Sequence, residues 1–130
     1  MACAQEDPCS ENLLDISEKD FKNQLKNIPD IVALGIFQKS SRLLERKEVV
    51  KAPGRNSLYI VSSEGNPNEP HMVVIGKRGE VRCDRKCPNW NGIRICSHVV
   101  ATAQCNDLLK EFLTAFGKKK SNFNLTKKGK

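Results

Sequence analysis

Between Cys83 and His98 the chain gathers three of its six cysteines and one of its two histidines, as Cys83-Asp-Arg-Lys-Cys87 and then Cys96-Ser-His98. No other feature constrains the fold as tightly, because four soft or borderline donors at such spacing describe a tetrahedral metal site. Zinc takes four such donors, and the three residues between Cys83 and Cys87 fall within the usual spacing of a ligand pair. The Cys96-x-His98 pair is tighter. Residues two apart share a face in an extended chain but stand roughly 200° apart around a helix. Both can ligate one ion only if the backbone changes from extended to helical between them.

The flanking residues supply such a change. Gly92, Ile93 and Ile95 suit a short strand leaving a turn, and Ser97 suits the N-cap of a helix running to Gln104. His98 then lies in the first helical turn with its ring directed back toward Cys96, while Val99, Val100 and Ala103 face a small core. Pro88-Asn-Trp-Asn-Gly92 reads as a loop from its turn formers, with Trp90 as a lid over the ion. The expectation is a strand, turn, strand, helix unit around one metal.

The run Val81-Arg-Cys83, Cys87-Pro-Asn-Trp90 and Gly92-Ile-Arg-Ile-Cys96-Ser-His98-Val-Val-Ala101 resembles the SWIM-type zinc finger, whose pattern is Cys-x-Cys, a spacer and Cys-x-His in a ββα fold. The resemblance implies Cys83, Cys87, Cys96 and His98 as the ligands and Zn2+ as the cofactor. It covers residues 57–116. Within them, Leu58-Tyr-Ile-Val-Ser-Ser63 and Met72-Val-Val-Ile-Gly76 are similar to the strands that precede such fingers in transposon-related and uncharacterised eukaryotic proteins. The family separates its first two cysteines by one residue where this chain has three, which is read as a longer knuckle.

Other fates of these side chains carry less weight. A Cys83–Cys87 disulfide needs an oxidising compartment, whereas the opening Met-Ala-Cys-Ala-Gln-Glu-Asp has neither the basic start nor the apolar run of a signal peptide. A buried thiol with an unrelated histidine is the common fate of isolated residues, but not of four at ligand spacing. A Cys–His nucleophile lacks an evident orienting acid or oxyanion device. Cys105, seven residues past His98, lies about 10 Å farther along a continuous helix and is read as core. Cys3 and Cys9 are read as free thiols. His71 is read as a solvent-facing edge residue opening a strand, and as the reserve ligand should Cys83 not bind.

Charge is unevenly distributed along the 130 residues, whose formal net charge is +7. Lys118, Lys119, Lys120, Lys127, Lys128 and Lys130 supply six of those charges in a terminal stretch without acids, and Glu6, Asp7, Glu11, Asp15, Glu18 and Asp20 make the first stretch acidic. The expected organisation is an acidic disordered segment over 1–18, a helical region over 19–52, the finger domain over 57–116 and a Lys-rich tail over 117–130. Helices are expected over 20–28 and 31–50, the latter on Ala33, Leu34, Phe37, Ser41 and Leu44. A three-stranded meander should follow, over 58–63, 72–75 and 80–83, then the finger helix and a last helix from Asn106 or Asp107 to Phe116, stopped by Gly117. The fold class is α+β, a small antiparallel meander leading into a ββα finger.

Only 5% of residues are aromatic and 28% are charged, so the core should be small and a metal should matter to folding. Structural zinc supplies on the order of 10–16 kcal/mol of apparent binding energy in small fingers. No apolar run approaches the roughly 20 residues needed to span a bilayer, so no membrane is expected; no small-molecule substrate is expected either. The functional reading is a non-enzymatic zinc module, intracellular and nuclear, whose partner is DNA or another protein. Arg82, Arg85, Lys86 and Arg94 around the finger, with Lys118, Lys119 and Lys120, are the candidate nucleic-acid contacts, since such cations pair with phosphates and release counterions. The finger helix carries few long polar side chains for reading bases. The alternative is a protein-interaction module in which zinc is purely structural. No carboxylate cluster suits two divalent ions, so transposase chemistry is not carried over from the resemblance.

Overall fold

Two helices begin the described structure, the first opened by a local capping signal. The computed structural model describes residues 14–54, 57–62, 68–84 and 87–117. Helix α1 spans Glu18–Gln24, opened by Ser17, whose hydroxyl accepts the Asp20 N–H at 3.1 Å, with Glu18 and Asp20 complementing the positive end of the helix dipole. Pro29 then sets the start of α2, Asp30–Glu45. Along α2 the buried positions Ala33, Ile36, Ser40, Leu43 and Leu44 recur at helical spacing and form one apolar stripe. Phe21 of α1 meets Phe37 of α2 edge to face, centroids 5.4 Å apart.

Helix α2 ends five residues earlier than the 31–50 expectation, and the reason is a backbone device. Lys47 adopts the left-handed conformation (φ 55°), its N–H reaches the Leu44 carbonyl at 3.1 Å, and the Glu48 N–H reaches the Leu43 carbonyl at 2.9 Å. These are the two bonds of a Schellman C-terminus, built here on lysine instead of glycine. The reversal frees Val49–Lys51 to become strand β1, a strand absent from the expected meander.

Strands β2 (Leu58–Val61), β3 (His71–Ile75) and β4 (Val81–Cys83) complete an antiparallel sheet in the order β1-β2-β3-β4. The pairs Val49↔Val61, Val61↔His71 and Val73↔Cys83 set one face inward. Period-2 alternation along β3 and β4 buries His71, Val73, Val81 and Cys83 and exposes Met72, Val74 and Arg82. The turn between β3 and β4 is closed by the Gly76 N–H to the Glu80 carbonyl at 2.7 Å, and Gly79 takes a φ of +87° there, open to glycine at little cost.

After β4 the chain forms α3 (Pro88–Ile93) and α4 (Ser97–Cys105). Helix α4 packs against α2 and the sheet, with Val99, Val100, Ala101 and Ala103 fully buried. Ser40 binds the two helices: its buried hydroxyl donates to Ile36 O at 2.7 Å and approaches Ser97 O at 3.3 Å. A second Schellman-type end stops α4, with Asp107 left-handed (φ 58°) and the Leu108 N–H on Ala103 O at 2.8 Å. Residues 109–117 are again helical, and Leu109, Leu113 and Phe116 return to the core. The architecture is α+β, helices covering one face of an antiparallel sheet.

Two expectations for the finger itself need correction. Residues 88–92 are not a loop but most of α3, because Pro88 at its first turn is pre-set for helical φ. The expected strand at 93–95 is absent: Ile93 closes α3, Arg94 is left-handed (φ 64°) with its N–H on Trp90 O at 3.0 Å, and residues 94–96 join no sheet. The unit around the site is therefore strand, helix, short extended link, helix. The expectations for residues 1–13, 55–56, 63–67, 85–86 and 118–130, among them the tail, most of the acidic segment and the thiols Cys3 and Cys9, lie outside the described residues.

Candidate metal centre

Each of the four expected ligands is delivered by a different piece of backbone. Alternation in β4 sends Cys83 inward and Arg82 outward. A turn joining the Cys87 N–H to Asp84 O at 3.4 Å brings Cys87 back to the same spot, where it becomes the N-cap of α3. Arg94 reverses the chain, Cys96 is extended (φ −153°, ψ 168°), and α4 starts at Ser97, so His98 sits in its first turn. The change from extended to helical that the Cys-x-His spacing required falls between Cys96 and His98; the N-cap is Cys96, not Ser97.

One donor atom from each of Cys83, Cys87, Cys96 and His98 lies within 4.8 Å of all the others. His98 Nδ1 is 3.9 Å from Cys83 Sγ and 3.7 Å from Cys87 Sγ. Tetrahedral coordination with metal–sulfur bonds near 2.3 Å and metal–nitrogen bonds near 2.0–2.1 Å requires S···N edges of about 3.6 Å. The side chains thus stand almost at coordination separation, and the three cysteines are free thiols despite that crowding. The chemistry of the donors and their spacing both fit a metal ion.

Protonation follows the same geometry. The Cys83 thiol is pushed up to about 12 as the partner that gives its hydrogen to Cys87, with burial adding to the effect. Cys87 is lowered far below the ordinary thiol range because Cys83 and Cys96 both hydrogen-bond to its sulfur. Burial drives Cys96, 1% exposed, well above that range. Three thiols in one pocket hold their protons unequally because neighbouring thiolates repel. A divalent cation removes that repulsion and deprotonates coordinating thiols outright.

Beside the cluster, one residue differs from the sequence reading in its exposure and a second, Asp84, escaped that reading. His71 is 8% exposed, not a solvent-facing edge residue, because the β3–β4 register carries it to the end of the sheet where Cys83 and Asp84 lie. Its Nδ1 is 2.9 Å from Asp84 Oδ1, and its ring lies 4.2 Å from that of His98. Asp84 Oδ2 also accepts the Met72 N–H at 2.9 Å. The legible signal was the turn at 76–79, which fixes the register once it is placed. Trp90 is buried in the core cluster, with the Arg94 guanidinium 5.7 Å from its ring centroid.

The candidate nucleic-acid residues divide. Arg82 and Arg94 are exposed, Arg82 on the outer face of the sheet; Arg85, Lys86, Lys118, Lys119 and Lys120 lie outside the described residues. Cys105 packs against the core, as the sequence suggested, and is disulfide-bonded. Among the described residues no helix is long and apolar enough to cross a membrane. Comparison with known proteins found no matching family model, no matching curated protein and no matching solved structure.

Proposed function

We propose that this chain is a zinc-stabilised, non-catalytic interaction module of SWIM-like type, its ion held by Cys83, Cys87, Cys96 and His98. The observation that carries the reading is the convergence of those four donors within 4.8 Å in a buried pocket. Three thiolates and one imidazole are a donor set that favours zinc, and four protein ligands close the tetrahedron without leaving the open position that catalytic zinc keeps. When bound, the ion supplies cross-linking: it ties β4, α3 and α4 together.

The partner in this proposal is DNA, engaged through Arg82, Arg94 and the Lys-rich terminal stretch, by phosphate contacts that lose affinity steeply with salt. One observation favours a protein partner as the second reading. On the outer face of the sheet, Met72 is 42% and Val74 38% exposed, and their cross-strand neighbours Ile60 and Leu58 are only half-buried.

Native mass spectrometry of the protein purified with zinc tests the metal claim directly. One zinc in wild type, lost in Cys96→Ser and in His98→Ala, is the expected result. A folded wild type carrying no metal overturns it. For the partner, DNA affinity that falls with salt and drops further in Arg82→Ala and Arg94→Ala supports the first reading.

A further inference from the structure

A groove between α1 and the helix over 109–117 plays no part in the function proposed above. Its cavity of about 870 Å³ has an apolar wall of Ile16, half-buried, and Leu109 and Leu113, both buried. Asp15, Asp20, Asp107 and Glu111 line it too, all exposed, against one lysine, Lys110. Among the described residues none of these four carboxylates has an ion-pair partner. Like charges around one cavity repel each other, and a cationic occupant would relieve that repulsion. A buried amide in the same wall requires an acceptor. Gln104 is only 5% exposed and lines the groove. Its Oε1 accepts the Asp15 N–H at 3.0 Å, which leaves the two Nε2 hydrogens, and among the described residues nothing accepts them. No fully buried side-chain nitrogen among those residues lacks a partner, so this NH2 group is the part of Gln104 open to the cavity.

Carboxylates for ammonium groups, an amide N–H for a backbone carbonyl and an apolar wall for side-chain carbon together describe a lysine-rich peptide with apolar residues in it. The chain carries such a peptide beside the groove. Residues 118–130 hold six lysines and no acid, with Phe123 and Leu125 between Lys118-Lys119-Lys120 and Lys127-Lys128. Gly117, which precedes them, is placed against the end of α1: Asn27 Nδ2 donates to its carbonyl at 3.4 Å, and a Cβ on Gly117 would stand 3.9 Å from Gln24 O. Gln24 itself lines the groove. An extended chain advances roughly 3.3 Å per residue, so residues 118–130 outreach α1, whose seven residues rise about 10 Å.

We propose that residues 118–130 dock in this groove of their own chain, with lysines on the four carboxylates, Phe123 and Leu125 toward Ile16, and a backbone carbonyl on Gln104 Nε2. Exposed ion pairs are weak one by one, but a tether of this length holds the tail near millimolar local concentration, so several together suffice. Docking does not depend on the metal reading. Its consequence bears on the partner: the lysines assigned above to phosphates are held by the protein's own carboxylates, and a polyanion has to displace them.

Proton–nitrogen correlation NMR on the full chain tests this, comparing wild type with a triple variant, Phe123→Ala, Lys127→Gln and Lys128→Gln. These positions are remote in sequence from Gly117, so a changed signal in the groove cannot come from chain neighbours. At low salt the backbone amides of Asn23 and Glu111 and the side-chain NH2 of Gln104 should differ between the two proteins, while the sheet amides coincide. Salt at about 0.5 M, where charges are screened within about 4 Å, should remove the difference. Asp107→Asn with Glu111→Gln should speed trypsin cleavage after Lys118, Lys119 and Lys120 about 3–10-fold, the effect of losing two exposed ion pairs, whereas Glu45→Gln on α2 should leave the rate unchanged. Circular dichroism checks that each variant is folded. Groove signals identical in wild type and the triple variant overturn the proposal, as does a cleavage rate indifferent to the groove substitutions. Differences that grow with protein concentration would put the tail of a second copy in the groove and overturn it equally.

Discussion

At the scale of single residues, the three thiols compete for few ionised states until a cation arrives. Cys83 and Cys96 are held above the ordinary thiol range and Cys87 below it, so metal loading must displace protons from the first two. Protons therefore compete with the ion, and affinity should fall as pH falls. The expected outcome is zinc retained at neutral pH and released cooperatively on acidification, read with a chromogenic chelator across a pH series. Without metal the sign reverses for Cys83. Its folded value, about 12, is above the ordinary 9.0, so the stability it contributes is present below about pH 9 and is lost as pH rises toward 12. Chelated protein should lose thermal stability across that alkaline window, partly screened because the group is not fully buried.

At the scale of elements, three non-glycine residues in the left-handed region steer the chain: Lys47 ends α2, Arg94 ends α3 and Asp107 ends α4. Each lies where a glycine would have announced a stop, which is why the sequence suggested a helix through residue 50 and a strand at 93–95. Lys47→Gly should relieve that strain, and a gain of about 0.5–1 kcal/mol in denaturant unfolding would show it. The opposite change at Gly79, φ +87°, should cost about 1 kcal/mol as Gly79→Ala, because a Cβ disfavours that backbone even though the nearest atom, on Leu108, is 3.7 Å away. Helix α1 was more legible. Ser17, Glu18 and Asp20 mark its start in the text of the chain; the expected helix over 20–28 begins two residues late and runs four residues past its actual end at Gln24.

At the scale of the whole molecule, the candidate metal pocket is the seam between sheet and helices. Cys83, Cys87 and Cys96 belong to the same buried cluster as Val73, Val81 and Val99, so an ion held there would cross-link part of the core and not merely a surface knuckle. Chelation should lower the melting temperature by well over the roughly 4–8 °C that 1 kcal/mol is worth in a domain near this size, measured by calorimetry with and without chelator. Little shift would mean that the α2–α4 packing holds the fold without the ion.

The amino-acid sequence by itself determined the four donors, their order, and the change from extended to helical backbone at Cys96, because spacing restricts which backbones let two side chains reach one point. It determined the α+β class through short apolar runs between turn formers, such as Met72–Ile75, and a helical apolar pattern over Ala33–Leu44. Only the tertiary structure decided that Val49–Lys51 joins the sheet, that α3 replaces a loop, and that the His71–Asp84 pair lies beside Cys83. Those outcomes depend on strand register and on left-handed residues at helix ends. Both are chosen by the free energy of packing the whole chain, and local spacing does not encode them.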